Sequence, residues 1–137
     1  HSCGIRYAEL GVETFDDSVL SYYNKPSTVM DNLQAIRELN VVGIKVIPNI
    51  MVGFEIEKPS MYDANIEYLQ DLISEGYIYY LNIFFFADYK SDNSNDRSEL
   101  KLIKSWHKTP NDRYKLEEYV NKLYKLNYYL LKKIRNG

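Results

Sequence analysis

The stretch YAELGVETFDDSVL, Tyr7–Leu20, decides the fold because it joins a half-buried strand directly to the start of a helix. Apolar and polar residues alternate in its first half, which is the pattern of a strand with one buried face. That face consists of Ala8, Leu10 and Val12. Residues from Thr14 to Asp17 then supply helix-capping side chains before a new apolar stripe begins. Glu13 therefore ends a strand at the point where a helix begins.

Two further strands are predicted along the chain. GIKVIPNIMVGF, residues 43–54, alternates in the same way, and its apolar face consists of Ile44, Val46, Pro48, Ile50 and Val52. In YIYYLNIFFF, residues 77–86, the apolar odd positions are Leu81, Ile83 and Phe85. Each strand keeps a second face that contains Glu, Lys or Asn.

Helical patterns separate these strands. After a short first helix, Ser27 is the predicted N-cap of a helix of about four turns. Its apolar positions are Val29, Met30, Leu33, Ile36 and Leu39. The next helix ends at Gly76, and its apolar positions are Tyr62, Ile66, Leu69, Leu72 and Ile73. A polar excursion over residues 91–111 precedes a closing helix from about Asp112, with a stripe of Leu116, Val120, Leu123, Leu126, Leu130 and Ile134.

This order of strands and helices predicts an α/β fold in which parallel strands are joined by right-handed crossovers. A doubly wound sheet is covered by helices on both faces, so both faces of its strands are apolar. The mixed second face here instead favours a partial TIM-like (βα) barrel with three parallel strands, because only the outer face of a barrel meets helices.

Ligands of such folds bind at the carboxyl ends of the strands. The residues expected there are Glu13, Asn49, Gly53 and Asn82 or Phe86. Glu13 is equally explained as a helix-capping carboxylate, since negative charge is favourable at a helix amino terminus. Lys45 and Glu9 lie nearer the strand starts, and an ion pair between them is expected.

Length and composition narrow the class of protein. With 137 residues, 45% of them hydrophobic, the chain fits one domain over residues 1–137. A net charge of −2 gives no basis for binding nucleic acid, and no window approaches the roughly 18 apolar residues of a membrane helix. One cysteine cannot form an internal disulfide, so a cytoplasmic protein is expected.

Residues 4–90 resemble the middle of a radical S-adenosylmethionine (radical SAM) domain. GVETFDDSVL looks like the fourth strand and following helix of that family, GIKVIPNIMVGF like its fifth strand, and YLNIFFF like its sixth. NKP stands before a helix, as in the family. The order and spacing of these pieces carry the resemblance, which implies the carboxyl-terminal half of a radical SAM barrel.

The resemblance also implies residues that bind the cofactor. Glu13 and Thr14 lie where the fourth strand contacts the methionine or ribose part of S-adenosylmethionine. On the fifth strand, Asn49, Met51 and Gly53 run beside the ribose and adenine. Phe86 and Ala87 lie where the end of the sixth strand contacts the adenine.

The chain departs from the family in ways that limit its expected activity. Glu55 and Ile56 replace the usual Pro and Gly after the fifth strand, and only Glu57 keeps the acidic position. The CxxxCxxC loop that ligates a 4Fe-4S cluster is absent because Cys3 is the only cysteine, and His1 and His107 do not replace it. The first three strands of the barrel are also missing.

We therefore expect a fragment of a radical SAM enzyme. Its intact parent would cleave S-adenosylmethionine reductively to a 5'-deoxyadenosyl radical, using S-adenosylmethionine and a 4Fe-4S cluster. The fragment alone would hold no metal, bind no cofactor tightly and catalyse nothing. Its expected partner is a second copy or the missing amino-terminal half of the barrel, unless the apolar residues Leu100, Ile103 and Trp106 fold back over the inner face.

Two alternatives belong to other classes of protein. In the first, the half barrel and the tyrosine-rich final helix form a non-catalytic interaction module. In the second, the chain is an unrelated barrel enzyme in which Lys45 forms a Schiff base. The second is disfavoured because Lys45 lies far from the carboxyl end of its strand.

Overall fold

Three parallel strands and four helices make up residues 4–86 and 110–137, the part of the chain that the computed structural model describes. In chain order they are β1 (Tyr7–Glu13), α1 (Asp17–Tyr22), α2 (Val29–Val41), β2 (Lys45–Val52), α3 (Pro59–Ser74), β3 (Asn82–Phe85) and α4 (Pro110–Asn136). The sheet order is β1-β2-β3, with parallel pairing throughout. The predicted α/β class is confirmed. The apolar segment around Leu100, Ile103 and Trp106 lies outside the described residues.

The helices pack against one face of the sheet. On β2 the predicted apolar face is confirmed, since Val46, Ile50 and Val52 are each fully buried. They share a single core with buried residues of α2, α3 and α4, among them Ile36, Leu69, Leu72, Leu116 and Leu123. When parallel strands follow one another in the sheet in chain order and every crossover is right-handed, all the connecting helices lie on the same side of the sheet.

The opposite face is exposed or half-buried, and we call it the open face. It carries Glu9, Glu13, Lys45, Ile47, Asn49, Met51, Asn82 and Phe84. Within residues 4–86 and 110–137, the helices that form the core pack from the other side. The two faces of the sheet therefore differ as the mixed strand patterns predicted.

The pairing of β1 with β2 contains an irregularity. Leu10 pairs with Pro48, but the next pair is Glu13 with Ile50, so β1 carries one residue more than β2 over this interval. Pro48 lies on the central strand and has no backbone N–H to donate, which weakens the ladder at this point. Such bulges increase the twist of a sheet and redirect side chains near strand ends.

Two helix boundaries differ from the predicted ones. Thr28, and not Ser27, is the N-cap of α2, because its Oγ1 accepts a hydrogen bond from the Asp31 N–H at 3.1 Å. The Asp31 carboxylate accepts the Thr28 N–H at 3.0 Å in return, which completes a capping box and lowers the pKa of Asp31. The closing helix begins at Pro110, two residues before the predicted start at Asp112.

The buried stripe of α4 also differs from the predicted one. Its buried residues are Leu116, Tyr119, Leu123, Asn127 and Leu130. Val120 and Leu126 are only partly buried, and Ile134 is 36% exposed. Tyr119 and Asn127 occupy the stripe because each satisfies its polar atoms inside the core. Asn127 Nδ2 donates to the Leu81 carbonyl and its Oδ1 accepts the Leu81 N–H, both at 2.8 Å.

Candidate functional site

The carboxyl end of β1 contains a tight turn centred on Glu13. Glu13 has a φ of 71°, and the Thr14 N–H donates to the Val12 carbonyl at 2.8 Å, which closes a three-residue γ-turn. The left-handed region is unfavourable for a residue with a side chain, by roughly 1–2 kcal/mol. Asp16 is the N-cap of α1, accepting the Val19 N–H at 3.1 Å, so the helix-capping interpretation of Glu13 is wrong.

The turn leaves the Glu13 carboxylate on the open face. A Cβ atom placed on Gly11 would lie 3.6 Å from Glu13 Oε1, and both residues belong to the face of β1 that points away from the helices. Glu13 is half-buried, so its carboxylate remains within reach of a ligand. The turn at the end of β1 therefore holds the Glu13 carboxylate over the open face of the sheet.

A hydrogen-bonded group of polar side chains crosses the open face. Asn82 Nδ2 on β3 donates to Asn49 Oδ1 on β2 at 3.0 Å and to Glu9 Oε1 on β1 at 2.9 Å. The expected ion pair between Glu9 and Lys45 is wrong, because in the described structure the Glu9 carboxylate contacts Asn82 and no ion pair involves Lys45. The group links all three strands on the side opposite the core.

Aromatic rings cluster at the carboxyl ends of β2 and β3. Tyr23, Phe54 and Phe86 form a triangle in which the ring centroids lie 5.0–5.1 Å apart. Gly53, with a φ of 93°, connects β2 to this cluster in a conformation that favours glycine. The Tyr23 hydroxyl accepts the Glu55 N–H at 3.2 Å and so fixes the loop after β2.

A buried polar layer supports the Glu13 turn from the core side. Asn65 on α3 accepts the Phe15 N–H through Oδ1 at 2.8 Å and donates through Nδ2 to the Tyr119 hydroxyl at 3.0 Å. Its Nδ2 also donates to Thr14 Oγ1 at 3.3 Å. Thr14 is fully buried, so its side chain holds the turn in place.

Glu57 is a buried carboxyl group close to this layer. Its side chain is 7% exposed, and neither of its carboxyl oxygens has a hydrogen-bond partner among the described residues. Burial raises the pKa of Glu57 to about 8, and the nearby charge of Asp16 adds to this effect. A carboxyl group with this pKa is mostly neutral at pH 7.

The structure divides the predicted binding residues into separate positions. Glu13, Asn49 and Met51 lie on the open face, whereas Gly53 and Phe86 lie at the strand ends beside the aromatic cluster. Thr14 lies beneath them in the core, and Ala87 lies outside the described residues.

Three further residues matter that the strand and helix patterns did not single out. Asn65 and Tyr119 form the polar layer, and Glu57 is buried without a partner. In the sequence, Asn65 and Tyr119 each stand next to an apolar residue of a predicted helical stripe, and this position is the one sign that they are buried. The sequence identifies Glu57 only as the acidic residue after the second strand. Its burial is not visible there, because burial of a carboxyl group depends on tertiary contacts.

Within the described part of the chain, no group of three or more His, Cys, Asp or Glu side chains is arranged to hold a metal ion. Cys3, His1 and His107 lie outside that part. No described helix is both long enough and apolar enough to span a membrane.

The fold and the site define an α/β chain whose parallel sheet has one open face. No known protein family matches it. The chain is 30% identical over 117 residues to the uncharacterized protein MJ0274 of Methanocaldococcus jannaschii. This similarity covers 74% of the chain and 22% of that relative, so the chain spans about a fifth of the relative's length.

Proposed function

We propose that this chain is the carboxyl-terminal half of a radical SAM barrel and that its open face binds the adenosyl part of S-adenosylmethionine. The observation that carries the proposal is the arrangement of three sequential parallel strands with the core helices on one face. A barrel wall has this arrangement, because its inner face lines a lumen that opens on the ligand site. The polar residues of the open face suit such a lumen.

The residues at the carboxyl ends of the strands fit a nucleoside ligand. The Glu13 carboxylate can accept hydrogen bonds from ribose hydroxyls, and the Asn49 amide can both donate and accept. Gly53 permits a close approach of the backbone, and Phe86 with Met51 offers apolar surface to a purine. In this proposal the hydrogen bond from the Phe15 N–H to Asn65 Oδ1 keeps the Glu13 turn in its strained conformation.

A 4Fe-4S cluster does not fit the residues of this chain. Such clusters are held by several thiolates, and the chain contains one cysteine. We therefore propose that the cluster, and with it the reductive cleavage of S-adenosylmethionine, belongs to a different part of the barrel. The role proposed for this chain is to bind and orient the nucleoside.

Anaerobic incubation of the 137-residue chain with iron and sulfide is expected to leave no stoichiometric cluster after desalting. The reason is the single thiol, which provides one of the several thiolates that a cluster needs. Iron analysis and the visible absorption spectrum measure the outcome. One four-iron cluster per chain would contradict the proposed division of roles.

S-adenosylmethionine is expected to bind weakly, with a Kd of about 1 mM, because a half barrel supplies only part of the contacts. Amide shifts in NMR spectra should change at Glu13, Asn49 and Gly53. The variants Glu13→Gln and Asn49→Ala should each raise the Kd about fivefold, which corresponds to about one lost hydrogen bond.

Glu75→Gln is the matched control for this titration, because Glu75 is an exposed carboxylate at the opposite end of α3. Its Kd should equal that of the unmodified chain. The proposed site would be refuted if the NMR shift changes occurred away from the strand ends, or if all three variants lost the same affinity for S-adenosylmethionine.

The second candidate function is a non-catalytic interaction module. Four tyrosines of α4, Tyr114, Tyr124, Tyr128 and Tyr129, are 48–65% exposed, and tyrosine is enriched at protein interfaces. The proposed partner is a second copy or the amino-terminal half of the barrel, which would cover Phe84 on the open face. A chain that shows no S-adenosylmethionine shifts at the strand ends would favour this candidate.

A further inference from the structure

A cavity of about 480 Å³ lies at the amino ends of the strands, opposite the proposed nucleoside site. Tyr7 and Lys45, the first residues of β1 and β2, pair in register and both line it. Lys133 and Leu130 on α4 line its other side. The cavity therefore lies where the start of the sheet meets the last turns of the final helix.

The charged side chains of this cavity are all cationic. Arg6, Lys45 and Lys133 line it, and none of the other described residues that line it has an acidic side chain. Within the described residues, 4–86 and 110–137, none of these three side chains takes part in an ion pair. Gly137 also lines the cavity, and its terminal carboxylate in the 137-residue chain balances one of the three positive charges. The remaining excess of positive charge gives a potential that a bound anion would neutralise.

A second cavity, between α3 and α4, contains one lysine that is paired with carboxylates and a second, Lys115, for which no ion pair is found among the described residues. It has a volume of about 330 Å³ and is lined by Lys122 together with Asp63 and Glu118. Lys122 Nζ lies 3.5 Å from the Glu118 carboxylate and 4.0 Å from that of Asp63. In the cationic cavity no acidic side chain of the described residues contacts the cations, although Lys133 Nζ lies 4.9 Å from the centre of the Tyr129 ring. Arg6 and Lys45, which are exposed, can therefore contact an anionic ligand.

Aromatic side chains define the shape of the ligand. The rings of Tyr7 and Tyr79 stack with centroids 3.9 Å apart, and both line the cavity. Tyr7 remains 45% exposed, so a flat aromatic surface is open to a planar group. The volume is larger than a bare phosphate needs and falls within the range of small-molecule sites, about 300–1,000 Å³.

We infer that this cavity binds a phosphate monoester joined to a planar ring, as in a nucleoside monophosphate. Arg6, Lys45 and Lys133 bind the phosphate, and the Tyr7–Tyr79 stack contacts the ring. The inference is independent of the proposed nucleoside site, since the two sites lie at opposite ends of the strands.

Titration of the 137-residue chain with AMP tests the inference, with adenosine and inorganic phosphate as comparison ligands. Amide shifts in NMR spectra should change at Lys45, Ile78 and Lys133, with a Kd of about 1 mM or tighter. Adenosine and phosphate should each bind at least about fivefold more weakly, because each lacks half of the contacts. The Kd for AMP should rise with ionic strength.

Lys45→Gln and Lys133→Gln should each weaken AMP binding about threefold to tenfold. Lys25→Gln is the matched control, because Lys25 is exposed and lies outside the cavity, and it should leave the Kd unchanged. Circular dichroism verifies that each variant is folded. The inference is wrong if AMP changes the amide shifts only of residues near Glu13 and Gly53, or if phosphate binds as tightly as AMP. It is also wrong if all three variants have the same Kd for AMP.

Discussion

Glu57→Gln is expected to stabilise the chain by about 3 kcal/mol near pH 7. The carboxyl group of Glu57 is buried, has no hydrogen-bond partner among the described residues and has a pKa raised to about 8. Folding at neutral pH therefore forces this group to take up a proton that it does not carry in the unfolded chain. Gln has a similar shape and needs no proton, so the variant avoids that cost.

The effect has a defined pH dependence. Below the ordinary pKa of 4.5, Glu57 is protonated in both states and contributes no penalty. As the pH rises from there toward about 8, only the unfolded chain loses the proton, so the stability of the unmodified chain falls by about 1.4 kcal/mol per pH unit. Above this window both states are ionised and the difference is constant. The advantage of the variant should therefore vanish near pH 4.5 and grow with pH.

Glu55→Gln provides the matched control, because Glu55 lies on the same loop and is exposed. Its free energy of unfolding should stay within about 0.5 kcal/mol of the unmodified chain at every pH. Tyr62 and Tyr119 lie near Glu57, but burial raises the pKa of each above its ordinary value, so both stay neutral throughout this window. Urea unfolding followed by circular dichroism measures the effect, and a Glu57→Gln variant without added stability at pH 7 would contradict it.

The strands were predictable because the alternation of apolar residues reflects a local geometry. Side chains of a strand point alternately to its two faces, so the buried set Val46, Ile50 and Val52 appears directly in the sequence. The third strand was predicted over residues 77–86 but forms only over Asn82–Phe85. Ile78 still forms an isolated parallel bridge with Val46, but the ladder is interrupted at Leu81, whose N–H and carbonyl bond to a side chain of α4.

The polar residues of the site were only partly predictable. Glu13 and Asn49 were predictable because each lies on the mixed face of a predicted strand toward its carboxyl end, where ligands of such folds bind. The strain at Glu13 was not predictable, since the residues that follow its γ-turn bond to the Asn65 side chain, which lies on a helix 50 residues away. Glu57 shows the same limit, because whether a carboxyl group is buried depends on elements that are distant in sequence.

Asn127→Ala is expected to destabilise the chain by about 3 kcal/mol. The Asn127 side chain pairs with both the N–H and the carbonyl of Leu81, and Leu81 is 1% exposed. Removing the amide leaves two buried backbone groups without partners, each at a cost of about 1–3 kcal/mol. Asn121→Ala, an exposed change on the same helix, should change the free energy of unfolding by less than about 0.5 kcal/mol.

A second variant separates hydrogen bonding from packing. Asn127→Leu fills the same space as the asparagine but still leaves the Leu81 backbone unpaired, so it should be destabilised by nearly as much as Asn127→Ala. The Leu81 amide should also exchange its hydrogen faster in both variants. If Asn127→Leu were as stable as the unmodified chain, the two bonds would contribute nothing. Since this amide binds the backbone beside β3 much as a neighbouring strand would, its loss should loosen α4 and the last strand together.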